Sequence, residues 1–156
     1  MLHDGTATRF LIAWSLFESR CFEGSAKINK FPTFATLFSE IHNFECLALQ
    51  ESATHFHRRY QDKQRYKNLM HGQKSKEMDE IISKEFAELS RYEITLMLLI
   101  VVYRFRNNIF HGNKGVESWL QYKEQITLCL TVMQSLISLS SETHNKGTNM
   151  AADGNT

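Results

Sequence analysis

Apolar residues recur at spacings of three and four along most of this chain, the period of helices that bury one face. Phe10, Ala13, Trp14, Phe17 and Cys21 trace a first amphipathic helix from about Arg9 to Glu23, with Thr6 or Thr8 available as its cap and Gly24 as its stop. Glu18 and Arg20 fall off that stripe, and Glu18 is either solvated or ion-paired or borders a site. A loop from Gly24 to Pro32 leads into a second stripe, Phe34, Leu37, Phe38 and Ile41, which is expected to face the core. Asn43 marks a break, after which Phe44 to Tyr60 is helical again and offers Leu47, Leu49, Ala53 and Phe56 for burial. Met78, Ile81, Ile82, Phe86 and Leu89 repeat through Glu77 to Glu93 as one further amphipathic helix. The last long helix runs from Val116 to Leu139, with Trp119, Leu120, Ile126, Leu128, Leu130, Met133, Leu136 and Ile137 as core candidates.

One segment breaks the pattern by being apolar all round. Ile94 to Tyr103 is a run of ten residues without a charge. A bilayer-spanning helix needs about 20 apolar residues, so a buried core helix is the better reading, extending from Arg91 through Phe110. Its end is a burst of polar groups, Arg104-Phe105-Arg106-Asn107-Asn108-Ile109-Phe110-His111-Gly112. Gly112 suits the left-handed position after a helix, and His111 would lie at the negative end of the helix dipole, where an imidazole can hold or release a proton near neutral pH.

With one proline and seven glycines in 156 residues, the chain is suited to long helices joined by short loops, an all-α compact bundle. One domain over 1–140 is expected, and the small polar residues of 141–156 point to a disordered tail. The net charge of +1 provides no global field for nucleic acid, so local clusters decide. Between Arg58 and Lys76 there are seven cations against one anion, with Arg58, Arg59, Lys63, Arg65 and Lys67 close together and Tyr60 and Tyr66 interleaved. That is the best candidate for an RNA-contacting surface; the alternative is a solvated face that balances the acidic stretch after it. His55, His57 and His71 lack a cysteine or carboxylate at ligand spacing, so no metal site and no cofactor is expected. Cys21, Cys46 and Cys129 fit buried thiols of a cytoplasmic protein, and Met1 to Thr6 suggests no secretory signal.

Arg106 and His111 together suit metal-free cleavage of RNA. The imidazole moves the proton of the ribose 2′-hydroxyl or of the leaving oxygen, while the guanidinium holds a non-bridging phosphate oxygen. On one continuous helix the two side chains would lie ~140° apart. Asn107, four residues before His111, shares its face and can orient the ring. A two-fold dimer that brings two such segments to one cleft would double a sparse site. Without catalysis, the same residues read as an ion-paired arginine, a helix-end cap and a turn.

The segment Arg106-Asn107-Asn108-Ile109-Phe110-His111, placed at the end of a long buried helix, resembles the signature of the HEPN domains (higher eukaryotes and prokaryotes nucleotide-binding). The opening helix with Arg9-Phe10-Leu11-Ile12-Ala13-Trp14 is similar to that of many members. Over residues 6–140 the resemblance implies an all-α bundle of HEPN type and a homodimeric, metal-independent endoribonuclease with a composite site at the dimer interface. It would be a toxin or antiphage effector, paired in many cases with a nucleotidyltransferase-type antitoxin or other defence partner, and not a membrane protein. Arg106, His111 and Asn107 would be the catalytic residues, with Arg104 and the basic segment on the substrate. Some members have lost activity, so the alternatives are a non-catalytic RNA- or nucleotide-binding module and a structural subunit of a larger complex.

Overall fold

The computed structural model describes residues 5–42, 47–110 and 121–153, with side chains for all of these except 110 and 141–153. Among the described residues there is no strand, and seven α-helices form a bundle. They are α1 (Thr6–Phe22), α2 (Phe31–Ile41), α3 (Leu47–Arg59), α4 (Lys63–Met70), α5 (Lys76–Ser83), α6 (Arg91–Phe110) and α7 (Lys123–Asp153), with 3-10 turns at Ile28–Lys30 and Phe86–Glu88.

The uncharged run decides the architecture. Leu96 through Val102 are seven consecutive residues of which none is more than 3% exposed, so α6 is enclosed on every side. Each such side chain contributes about 1.5–3 kcal/mol of burial before entropy is counted, and α2, α3, α4, α5 and α7 all pack on this helix. α1 packs chiefly along α7 instead. It is tied to the centre by a chain of rings: Phe17 to Phe22 at 5.2 Å, Phe22 to Phe31 at 5.4 Å and Phe31 to Tyr103 at 5.5 Å between centroids.

Several expected boundaries move, each for a local reason. α1 starts at Thr6 behind Gly5, whose φ of 72° is left-handed, and no side chain caps it; Thr6 is buried in the first turn rather than acting as a cap. Its last turn buries Phe22, while Cys21 is half-buried. Glu18 has a structural contact: its Oε2 accepts the Ala26 N–H at 3.0 Å and fastens the loop. In α2 the core face is Phe31, Ala35 and Phe38, and the expected core residues Leu37 and Ile41 are about half exposed (54% and 50%). Leu47 is exposed too, at the start of α3, while the Asn43 break and the Phe44 to Cys46 start lie outside the described residues.

The acidic stretch is not one helix. α5 stops at Ser83, Lys84 is extended, and a 3-10 turn follows before α6. Ser90 and Glu93 form a reciprocal capping box: Ser90 Oγ accepts the Glu93 N–H at 3.1 Å and Glu93 Oε1 accepts the Ser90 N–H at 3.1 Å. Asp62 and Ser75 cap α4 and α5 in the simpler way, by accepting from Arg65 N and Met78 N. At the other end of the chain α7 buries Ile126, Cys129, Val132, Met133 and Leu136 completely, whereas Trp119 and Leu120 lie outside the described residues. α7 then continues to Asp153, through most of the segment expected to be a disordered tail. The polar composition there means that it has little to bury; a helix already nucleated by preceding turns extends at far lower cost than a new one starts.

Candidate functional site

The basic segment and the polar end of α6 meet. α4 is followed by His71 and Gly72 in left-handed conformations (φ 47° and 79°), which turns the chain away; the His71 and Gln73 N–H groups take up the Lys67 and Met70 carbonyls, and the Leu69 carbonyl between them is met from α6. Two α6 residues one turn apart take up the Leu69 carbonyl: Arg104 Nε donates to it at 3.1 Å and Asn108 Nδ2 at 3.0 Å. Arg104 Nη2 also donates to Asn108 Oδ1 at 3.2 Å, closing a small network. Arg104 was expected on the substrate. It is instead only 7% exposed and holds α4 to α6, and burial lowers its pKa from the usual value.

A cleft opens on each side of this network. The first, of about 590 Å³, takes Arg59 and Arg65 from the basic segment, Phe105 and Ile109 from α6, and Tyr122 and Gln125 from the start of α7 and the turn before it. The second, of about 500 Å³, is lined by Lys74, Tyr103, Arg104 and Asn107 among others. Among the described residues no carboxylate lines either cleft, so both present cations and amides to whatever enters.

The expected site residues are thereby sorted. Arg59 and Arg65 reach the first cleft, whereas Arg58, Lys63 and Lys67 are exposed and line neither. Asn107 lines the second cleft and accepts from Arg106 Nη1 at 3.1 Å. Arg106 itself lies towards α1, its Cζ 5.6 Å from the centre of the Trp14 ring, and lines neither cleft. His111 is outside the described residues. Ile109, two positions before it, is on the wall of the first cleft.

The interleaved tyrosines do not stand out as stacking faces. Tyr60 is 2% exposed and stacks on Phe56, and the Tyr66 hydroxyl donates to Asp79 at 2.5 Å. The histidines are similarly dispersed. His57 is buried with Nε2 3.2 Å from the Ile81 carbonyl, and His55 sits edge-on to Phe56. Burial lowers the His55 pKa, with Arg59 and Arg58 adding to the effect and Glu124 opposing it. Among the described residues no three His, Cys, Asp or Glu side chains gather as a metal site.

Gln125 and Tyr122 were not singled out from the sequence. Gln125 is 5% exposed, and a signal for it was available: it precedes Cys129, Val132 and Leu136 at helical spacing, a polar residue where the buried stripe of α7 begins. Among the described residues no helix is long and apolar enough to cross a membrane. Against models of protein families, curated proteins and solved structures, the chain shows no match.

Proposed function

We propose that this protein binds RNA across the polar end of α6 and cleaves it without a metal, as an endoribonuclease of HEPN type. The observation that carries the reading is the convergence of Arg59 and Arg65 with the end of α6, two residues short of His111, in one cleft that no carboxylate lines among the described residues. Cations without carboxylates beside them are suited to phosphate, and unpaired amides and rings to bases.

In the proposed reaction the ribose 2′-oxygen attacks the adjacent phosphorus as His111 takes its proton. The bond from phosphorus to the 5′-oxygen breaks, and a proton is returned to that oxygen. The products are a 2′,3′-cyclic phosphate and a 5′-hydroxyl. Arg106 would stabilise the charge on the non-bridging oxygens, and Asn107, already hydrogen-bonded to Arg106, would orient the catalytic groups. A two-fold dimer would set two copies of this segment at one site, and a cytoplasmic toxin or defence role with a neutralising partner follows from the same reading.

One observation favours a second reading, a non-catalytic RNA- or nucleotide-binding module. Arg106 rests on Trp14 and Asn107 and lines neither cleft, so it would have to leave the indole to reach a phosphate. Wild-type, Arg106→Ala and His111→Ala proteins, each shown folded by circular dichroism, separate the two when incubated with labelled single-stranded RNA in EDTA. Cleavage by the wild type alone supports the nuclease; RNA binding without cleavage by any of them supports the module.

A further inference from the structure

We infer that the 500 Å³ cleft on the other side of the Arg104–Asn108 network binds an organic acid, with its carboxylate on Arg104 and Asn107 and its apolar substituent against Ile28, Met70 and Tyr103.

The buried cation of this cleft lacks a counter-ion. Arg104 is 7% exposed, and an arginine is almost never withdrawn that far from water unless an anion is beside it. Its two hydrogen bonds go to neutral oxygens, from Nε to Leu69 O and from Nη2 to Asn108 Oδ1. Burial lowers its pKa and Tyr103 opposes, while no carboxylate acts on it or lines the cleft among the described residues. Its Nη1 also has no partner among the described residues, so a donor of the guanidinium is left over.

A second donor lies three residues on. Arg106 can only donate, and its Nη1 meets Asn107 Oδ1 at 3.1 Å, which fixes the orientation of that amide. Asn107 Nδ2 is thus the edge that remains, and it has no acceptor among the described residues. Residues three apart are neighbours on one helix face, and Arg104 and Asn107 both line this cleft. Two neighbouring N–H donors, one of them charged, match the two oxygens of a carboxylate.

The rest of the lining selects among anions. Met70 of α4 is buried, Tyr103 of α6 is half-buried and Ile28 of the first 3-10 turn is 48% exposed, so three elements supply an apolar wall. Inorganic phosphate would leave that wall unused, and a neutral apolar ligand would leave the guanidinium without a counter-ion. Lys74 is exposed and adds a positive charge that water screens. The volume is within the range of about 300–1,000 Å³ that small-molecule sites occupy.

This site does not rest on the nuclease reading, whose RNA contacts from the basic segment lie in the first cleft. Heteronuclear NMR titration of the purified full chain with phenylacetate and isovalerate, their amides, acetate and inorganic phosphate tests it. At least one of the two acids should shift the Arg104 Nε–H resonance and bind about tenfold or more tightly than its own amide and than acetate, the ratio equivalent to one good polar contact. Arg104→Met, shown folded by circular dichroism, should weaken that acid about tenfold or more. Ile28→Glu changes an exposed side chain and sets a negative charge on the lining, so it should weaken the acid as much and decides the matter if the methionine variant does not fold. Displacement of the bound acid by a short peptide ending in leucine, but not by the same peptide with an amidated end, identifies a polypeptide terminus as the source of the carboxylate; displacement by neither identifies a free acid. Binding of neither acid, equal affinity for acid and amide, tighter binding of inorganic phosphate than of either acid, or acid binding untouched by Ile28→Glu or in folded Arg104→Met overturns the assignment.

Discussion

Replacing Arg104 by methionine separates a structural arginine from a phosphate contact. The guanidinium donates to Leu69 O at 3.1 Å and to Asn108 Oδ1 at 3.2 Å, and the side chain is 7% exposed. Hydrogen bonds from a charged group are worth about 1.5–3 kcal/mol each, but withdrawing a cation from water towards neutral acceptors costs much of that gain. Leu69 O keeps the Asn108 amide at 3.0 Å, so its carbonyl is not orphaned by the change. Asn108 lines both clefts, where water can take the place of the guanidinium. Methionine refills most of the arginine stem. The expected loss is therefore about 1–2 kcal/mol, a fall in Tm of roughly 2–8 °C for a chain of this size. Arg104→Ala should cost at least about 1 kcal/mol more through the cavity it leaves. Urea unfolding followed by circular dichroism gives the stability, and fluorescence anisotropy with a labelled RNA gives the affinity, which should stay within about threefold in the folded methionine variant. Unchanged stability with an affinity loss of tenfold or more would refute the reasoning and return Arg104 to the phosphate.

Ser90→Ala removes one half of the α6 capping box and should cost about 1 kcal/mol in urea unfolding, with α6 otherwise intact. Phe38→Ala should cost about 3–5 kcal/mol, whereas Leu37→Ser and Ile41→Ser should each stay within about 0.5 kcal/mol, since only the first is in the core. The His55 pKa is lowered in the fold, chiefly by burial, so its unfolded form takes up a proton first as the pH falls. Its contribution is thus fully present above its ordinary value of 6.5 and is lost as the pH drops below that towards the folded value. Unfolding free energies measured from pH 8 to 5 should fall less steeply for His55→Gln than for the wild type.

α6 was legible because ten uncharged residues in succession have no solvated face to offer, so no choice of side remains. α2 was harder for the opposite reason: it carries two overlapping stripes, Phe34, Leu37, Phe38 and Ile41 against Phe31, Ala35 and Phe38. Periodicity alone does not rank them. Phe31 decides it, being wedged between Phe22 and Tyr103, a contact across distant parts of the chain. The split of the acidic stretch was readable, since Ser90 and Glu93 have the spacing of a capping box, but the apolar period continues across it and masks the boundary. The tie from Arg104 to α4 was not legible because its acceptor, the Leu69 carbonyl, is 35 residues away and leaves no local mark. The polar end of α6 could be located from sequence. Its alignment with Arg59, Arg65 and Gln125 is tertiary, and no spacing within one segment encodes it.

The central claim is that RNA is cleaved through its own 2′-hydroxyl. The most direct measurement offers the purified wild-type protein, in EDTA, a labelled RNA and the same sequence with every 2′-hydroxyl replaced by hydrogen, and identifies the product ends. The account predicts cleavage of the RNA alone, leaving a 2′,3′-cyclic phosphate and a 5′-hydroxyl. Cleavage of both strands, or products bearing a 5′-phosphate, would contradict it.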